Sequence, residues 1–108
     1  MFWGAILRIG NYVTIAANTC ITNIDHEYRD IASSVMNQNL LFSETTIGDG
    51  CFIGFGAVIQ AGTHLGKHCI VGSNSVIRGD FPDYSVIVGV PGRVIKQYNN
   101  DTGKWERK

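Results

Sequence analysis

The sequence predicts an all-β fold in which short strands wind into a single parallel β-helix. Three observations predict it: aliphatic residues recur every six positions, a small residue follows most of them, and the 108 residues include 13 glycines but only 2 prolines. A period of six matches neither the 3.6-residue turn of an α-helix nor the two-residue alternation of an ordinary strand. A short strand and a sharp turn, repeated in register, account for it.

The repeat can be followed along most of the chain, and stacking at a strand spacing of about 4.8 Å brings equivalent side chains together. The aliphatic position, expected to point inward, is taken by Ile9, Ile15, Ile21, Ile47, Ile53, Ile59, Leu65, Val71 and Ile77, and the phase resumes at Val88 and Val94. Small or modest side chains four residues later are expected at corners: Val13, Thr19, Cys51, Ala57, Thr63, Cys69 and Ser75. Turn positions with positive φ are expected at Gly50, Gly56, Gly62 and Asn74.

The six-residue repeat is interrupted twice within the single domain that we expect, residues 1–108. Residues 22–46 contain no clean repeat and are predicted to leave the helix as one long excursion loop, the kind of segment that tends to carry function. A second break is predicted between Arg78 and Ser85, as a turn into the last coil. The polar tail, about residues 97–108, is expected to cap the open end or to lie against a neighbour.

Composition argues against several classes of protein. The 9 basic and 9 acidic residues balance, which argues against nucleic acid as a partner. No apolar run is long enough for a membrane span, and the first residues lack a basic signal-peptide region, so we expect a cytoplasmic protein. Three cysteines without a C-x-x-C motif do not indicate a disulfide framework. Cys51 and Cys69 are predicted to stack as small core residues.

Two motifs extend this pattern into a resemblance to the hexapeptide-repeat acyltransferases. The string G-V-P-G-R-V-I-K at 89–96 resembles the family's G-x-P-A-[KR]-x-I-[RK] ending. The string I-G-D-G-C-F-I-G at 47–54 resembles I-G-x-x-x-W-I-G, with Phe52 replacing the tryptophan. The resemblance covers residues 9–96, but only the C-terminal half of the family architecture. It implies a left-handed helix with three hexapeptides per triangular coil, assembled as a homotrimer with active sites between subunits.

The excursion loop supplies the predicted catalytic residue. Its D-H-x-Y motif, Asp25 to Tyr28, with a downstream Gln38, is similar to the members that acetylate sugars and cell-surface polysaccharides. The resemblance implies transfer of acetyl from acetyl-CoA to a hydroxyl, or an amine, of a sugar or glycan precursor, with His26 as general base. Imidazole titrates near neutral pH and can accept the proton of the acceptor. Asp25 is one candidate to orient it; the others are Glu27, Asp30 and Glu44.

The resemblance also assigns residues around this histidine. Tyr28 and Phe52 are predicted to line the acceptor pocket. The pantetheine arm of coenzyme A is expected along a coil edge that contains Gly54, Ala57, Ser73 and Arg78. Arg93 and Lys96 match the family's basic residues near the coenzyme A phosphates, which suit guanidinium and ammonium groups. Acetyl-CoA is expected as the co-substrate, without a metal.

Two other readings stay open. A short chain with only one full coil before the loop could be a trimeric scaffold or binding module that has lost catalysis. Zinc carbonic anhydrases share the fold and use three histidines. The spacing of His64 and His68 differs from theirs, and neither residue is in the inward phase, so both are predicted to be surface histidines.

Overall fold

A computed structural model, which describes residues 6–108, shows the strands and turns of a parallel β-helix. The strands of this part of the chain are β1 (Leu7–Ile9), β2 (Thr14–Ile15), β3 (Cys20–Ile21), β4 (Ile24–His26), β5 (Leu40–Phe42), β6 (Thr45–Ile47), β7 (Phe52–Ile53), β8 (Val58–Ile59), β9 (His64–Leu65), β10 (Ile70–Val71), β11 (Val76–Ile77), β12 (Asp80–Phe81), β13 (Ser85–Gly89), β14 (Gly92–Asn99) and β15 (Lys104–Arg107). A single 3-10 turn covers Val35–Asn37. Within residues 6–108 no helix is long and apolar enough to cross a membrane.

The coils stack into a triangular prism with three faces. The first face is the sheet β1-β6-β9-β12, the third is β3-β8-β11, and the second is β2-β7-β10-β13, extended by β14 and β15. Pairs of parallel partners such as Phe52 with Ile70 and Val58 with Val76 lie eighteen residues apart, so one coil contains three hexapeptides. The predicted period of six is therefore the number of residues that one coil contributes to each face.

The core contains the residues that the repeat predicts. The inward side chains of Ile47, Ile53, Ile59, Leu65, Val71 and Ile77 are buried, as are the corner residues Cys51, Ala57, Thr63, Cys69 and Ser75. Burial of each large aliphatic side chain contributes about 1.5–3 kcal/mol. Ile9 and Ile15 remain 46% and 43% exposed, because they belong to the outermost described coil.

The corners adopt the left-handed backbone conformation at six-residue intervals. The predicted positions Gly50, Gly56, Gly62 and Asn74 have φ values of 73°, 70°, 84° and 59°. Tyr12, Asn18, His68 and Tyr84 occupy equivalent corners with φ values of 57°, 60°, 50° and 58°. The corner geometry therefore imposes positive φ even on aromatic residues, which the search for glycine and asparagine did not identify.

The second break is shorter than predicted. Asp80 pairs with His64, sixteen residues away rather than eighteen, so two residues are missing from the corner at Arg78 and Gly79. The six-residue spacing already resumes between β12 and β13, and Phe81-Pro82-Asp83 forms an ordinary corner. The inward residue of the last coil is consequently the fully buried Ile87. The prediction of Val88 for this position was wrong.

The predicted polar tail is a β-hairpin. Strand β14 runs antiparallel to β13, and β15 runs antiparallel to β14. Gly92 sits directly over the Ile77 side chain, where any Cβ would collide with it. Val94 packs against the core. The beginning of β14 thereby closes one end of the prism, and the rest of the hairpin extends the second face.

Candidate active site on the arm and the second face

The excursion loop, residues 22–44, is an arm with a structured base. Strands β4 and β5 pair antiparallel, with Ile24 opposite Phe42 and His26 opposite Leu40. Leu7 pairs with Thr45, thirty-eight residues away, so the arm inserts twenty residues into one coil. It leaves the prism after β3 on the third face and returns at β6 on the first face. The arm therefore emerges at the edge of the prism opposite the second face.

A buried threonine fixes the base of the arm. The hydroxyl of Thr45, which is fully buried, donates to the carbonyl oxygen of Thr22 at 2.9 Å and accepts from the N–H of Gly62 at 3.0 Å. The Ser43 N–H donates to the Asn23 carbonyl oxygen at 3.0 Å. These bonds join both ends of the arm to each other and to the next coil.

An ion pair braces β4 against the prism. The Arg78 guanidinium donates from Nη1 to Asp25 Oδ2 at 2.9 Å and from Nη2 to Oδ1 at 3.4 Å. Asp25 therefore braces the arm and does not orient His26. Arg78, predicted to lie beside the pantetheine arm, has its guanidinium engaged by a carboxylate of its own chain.

His26 projects to the other side of β4. Neighbouring side chains of a strand point to opposite sides, so the contact of Asp25 with the prism turns His26 away from it. The imidazole is exposed, and within residues 6–108 it has no hydrogen-bond partner. Its two nitrogens are free to meet a ligand or another chain.

Hydrogen bonds within the arm stabilise the turns at its tip. The Glu27 carboxylate accepts from the N–H groups of Arg29 and Tyr28, and these bonds lower its pKa. Gln38 Nε2 donates to the Asp30 carbonyl oxygen at 2.8 Å. Tyr28 is 65% exposed, free to border a ligand. The carboxylates considered as partners of His26 are engaged elsewhere: Glu27 with Arg29, Asp30 with the N–H of Ala32, and Glu44 with Arg8.

Some of the residues predicted to line the coenzyme are buried in the prism, and others are exposed on its surface. The side chain of Ala57 is fully buried in the core, so it cannot line an open groove as predicted. Gly54 has its N–H bonded to Val71 and its carbonyl oxygen bonded to Ala57, which gives it a structural role. Ser73 is exposed at the same corner. Phe52 is 41% exposed on the outer side of the second face.

The second face also carries the predicted phosphate-binding cations. Phe52, Ile70 and Val86 are consecutive partners across three strands, and Lys96 follows opposite Val86. Lys96 in turn lies opposite Arg107 on β15. Arg93 is exposed near the start of β14. The sequence did not predict that Arg107 lies on this face, because no strand was expected in the tail.

The remaining histidines do not converge. His64 Nδ1 lies 2.9 Å from the Thr46 hydroxyl on the first face, and His68 contacts aromatic rings at a corner. Across residues 6–108 no cluster of three or more histidine, cysteine, aspartate or glutamate side chains could hold a metal ion.

Comparisons with known proteins identify the repeat. The pattern described as bacterial transferase hexapeptide (six repeats) matches residues 44–79. The chain is 36% identical over 108 residues to WbbJ of Escherichia coli, named as a lipopolysaccharide biosynthesis O-acetyl transferase, covering 94% of this chain and 55% of WbbJ. It is 36% identical over 100 residues to a Mycobacterium tuberculosis protein named as an acetyltransferase, covering 93% of this chain and 32% of that protein.

A solved galactoside acetyltransferase in complex with coenzyme A superposes with a TM-score of 0.68 at 24% identity, over 94% of this chain and 60% of that one. The chain spans about a third to a half of the two sequence relatives. The repeat, the stacked parallel coils and these matches lead to one conclusion: the chain is a hexapeptide-repeat protein similar to acetyltransferases built from this repeat, and its fold is a left-handed parallel β-helix.

Proposed function

We propose that this chain transfers acetyl from acetyl-CoA to a hydroxyl of a sugar or glycan precursor, with His26 as general base. The placement of His26 carries the proposal: a braced strand presents an exposed imidazole that has no hydrogen-bond partner within residues 6–108. WbbJ, named for O-acetyl transfer, and the galactoside acetyltransferase solved with coenzyme A support the substrate classes. The free cysteines Cys20, Cys51 and Cys69 suit a reducing compartment such as the cytoplasm.

The chemistry requires one proton acceptor. The acceptor hydroxyl attacks the thioester carbonyl carbon while imidazole removes its proton. The C–S bond then breaks, and the imidazolium returns the proton to the departing thiolate. The products are an acetyl ester and free coenzyme A, and imidazole is regenerated. An amine acceptor would follow the same steps and give an amide.

The site is shared between protomers in this proposal. His26 leaves one edge of the prism, whereas Phe52 and Lys96 lie on the opposite face, so one chain cannot bring them together. A ring of three copies, each arm on the second face of the next, closes this head-to-tail contact. Ile31, Met36 and Val35 on the arm are 100%, 77% and 44% exposed, which suits burial by a neighbour.

The direct test measures thiol release from acetyl-CoA with a panel of sugars. His26→Ala is expected to lower the rate by about 10²–10⁴-fold, the usual contribution of a general base. His64→Ala, which removes a histidine from the first face, is the matched control and should retain activity. Equal rates for wild type and His26→Ala would remove His26 from the mechanism. Coenzyme A binding without thiol release for every sugar would favour the alternative of a trimeric scaffold.

A further inference from the structure

Four aromatic rings form a closed circuit where the hairpin meets the corner between the first and second faces. The ring centroids of successive neighbours lie 6.1 Å apart for His68–Tyr84, 5.9 Å for Tyr84–Tyr98, 5.5 Å for Tyr98–Trp105 and 6.2 Å for Trp105–His68. They line a recess of about 200 Å³ that opens to solvent. We call it the aromatic recess.

The aromatic recess continues a row of residues along this corner. The same left-handed position is occupied in four successive coils by Tyr12, Gly50, His68 and Tyr84. The N–H of Tyr98 donates to the carbonyl oxygen of Tyr84 at 3.0 Å, which joins the hairpin to the end of the row. At a spacing of about 4.8 Å per coil, the row extends on the order of 14 Å from Tyr12 to Tyr84. A ligand that contacts the whole row must be elongated.

The corner itself does not require aromatic rings. Tyr12, His68 and Tyr84 have φ values of 57°, 50° and 58°, a conformation that favours glycine and asparagine and is costly for a large side chain. Gly50 meets the same requirement without a side chain. The side chain of Tyr12 is 94% exposed, so it adds almost no packing to the fold. The aromatic side chains in this row therefore suit a surface that binds a ligand.

Each ring of the aromatic recess combines an apolar face with a polar edge. Within residues 6–108 the hydroxyls of Tyr84 and Tyr98 and the indole N–H of Trp105 have no hydrogen-bond partner. Neither tyrosine hydroxyl is buried, so both can meet a ligand. Neighbouring rings are tilted by 34° to 62° from each other, which makes the surface concave. A concave surface of tilted rings fits a non-planar guest better than a flat one.

We propose that the aromatic recess, together with Tyr12, binds a neutral glycan chain. A sugar ring in its chair form is non-planar, with C–H groups on its faces and hydroxyls around its rim. The C–H groups, polarised by neighbouring oxygens, pack on the electron-rich faces of aromatic rings, and the hydroxyls bond to the tyrosine and tryptophan edges. A quaternary ammonium also favours aromatic faces, but no carboxylate lines the recess to balance its charge.

The aromatic recess lies beside the face on which we propose the active site. His68 is two residues before Ile70, the cross-strand partner of Phe52, which is predicted to line the acceptor pocket. A glycan held in the recess would extend toward that pocket, so the enzyme should prefer oligosaccharide acceptors to single sugars. Only this preference rests on the proposed function, because glycan binding requires no acetyl transfer.

Calorimetric titration with maltotetraose, cellotetraose and β-1,4-galactotetraose tests the site, because these neutral chains differ in linkage and in hydroxyl orientation. The wild type should bind at least one of them. Trp105→Ala should weaken that binding by about tenfold, within the range for loss of one well-packed aromatic contact. Phe55→Ala, which removes a 48% exposed ring from the corner between the second and third faces, is the matched control and should bind as wild type.

A second variant separates binding from folding. His68→Asn removes a ring from the prism and leaves the hairpin residues intact, and asparagine tolerates positive φ. We expect unchanged or higher thermal stability, with the tetrasaccharide bound about two- to tenfold more weakly. Binding of none of the three tetrasaccharides by the wild type, or wild-type affinity in both His68→Asn and Trp105→Ala, would overturn the proposal. Binding of tetramethylammonium but of no tetrasaccharide would overturn it in favour of a cation site.

Acceptor kinetics test the link to acetyl transfer separately. His68→Asn should raise the KM for the tetrasaccharide by about two- to tenfold and leave its kcat and the KM for the corresponding monosaccharide unchanged. An equal effect on both acceptors would overturn the link between the recess and acceptor choice. His26→Ala should bind the tetrasaccharide as wild type does, so an inactive enzyme leaves the binding test intact.

Discussion

A single methyl group at Gly48, which follows the inward Ile47, would prevent two coils from stacking as they do. An ideal Cβ on Gly48 would lie 2.6 Å from the carbonyl oxygen of Gly66 and 2.7 Å from its carbonyl carbon. Both are backbone atoms of the next coil, so relief requires the coil itself to move. Glycine at position 48 is therefore required by the close approach of the two coils.

Gly48→Ala should therefore destabilise the fold by about 1–3 kcal/mol, the usual cost of overpacking. The measurement is chemical denaturation followed by far-UV circular dichroism. Ser73→Ala, at an exposed corner, is the control and should stay within about 0.5 kcal/mol of wild type. Equal midpoints for Gly48→Ala and wild type would contradict the close approach of the two coils.

Cysteine reactivity is a second property decided at single residues. Cys51 and Cys69 are buried one coil apart, and their thiols donate to the carbonyl oxygens of Gly66 and Pro82 at 3.1 Å and 3.2 Å. A hydrogen bond with Cys69, together with burial, raises the pKa of the Cys51 thiol well above its ordinary range. Cys20 is exposed on the third face.

Native protein should therefore expose one readily titrated thiol to Ellman's reagent, and denatured protein three. Burial keeps Cys51 and Cys69 out of reach of the reagent, and its raised pKa keeps the Cys51 thiol in the unreactive protonated form. Cys20→Ser should abolish the fast reaction. Rapid modification of that variant in its native state would show that the two buried thiols are accessible.

At the scale of elements, the arm shows what a sequence can and cannot predict. The interrupted repeat located it, because twenty inserted residues disturb a period of six. The antiparallel pairing of β4 with β5 was not predictable, since thirteen residues that carry no repeat separate His26 from Leu40. Asp25 was one of four carboxylates considered as the partner of His26, but a strand places adjacent side chains on opposite sides.

The Asp25–Arg78 pair should hold the arm still. Asp25→Asn and Arg78→Gln should each speed trypsin cleavage after Arg29 in the exposed tip. The double variant should behave like either single one, with a coupling of about 0.2–1 kcal/mol, because the pair is partly exposed. Arg8→Gln, which removes a more open ion pair at 3.8 Å, is the control. Additive effects of the two substitutions would show that the pair does not brace the arm.

The last coil and the hairpin were the least predictable elements. A fixed period of six from Ile77 leads to Gly89, and the loss of two residues at Arg78 and Gly79 moves the inward position to Ile87 instead of the predicted Val88. The polar composition of the tail concealed a strand pair whose outer side carries Tyr98 and Trp105. A turn signal was present nonetheless: Gly103 has a φ of 70°, and the Asn99 side chain accepts from the Asp101 N–H at 2.8 Å.

At the scale of the whole molecule, the proposed active site depends on how copies of the prism meet. The three faces separate His26 from the second face within one chain, so activity should require assembly. Mixing His26→Ala with Arg93→Glu/Lys96→Glu during refolding should restore part of the wild-type rate, because some interfaces then combine an intact arm with an intact face. Each variant refolded alone is the control, and ultracentrifugation should show three 11.8 kDa chains per particle. No recovery in a mixed trimer would place the whole site within one chain.

The hairpin also decides whether the prism can grow at its C-terminal end. Repeats of this kind could in principle elongate into filaments by adding further coils at an end. Because it pairs antiparallel with β13, strand β14 occupies the edge of the second face on which another parallel coil would stack. Elongation from this end, and with it end-to-end polymerisation of copies there, is therefore blocked.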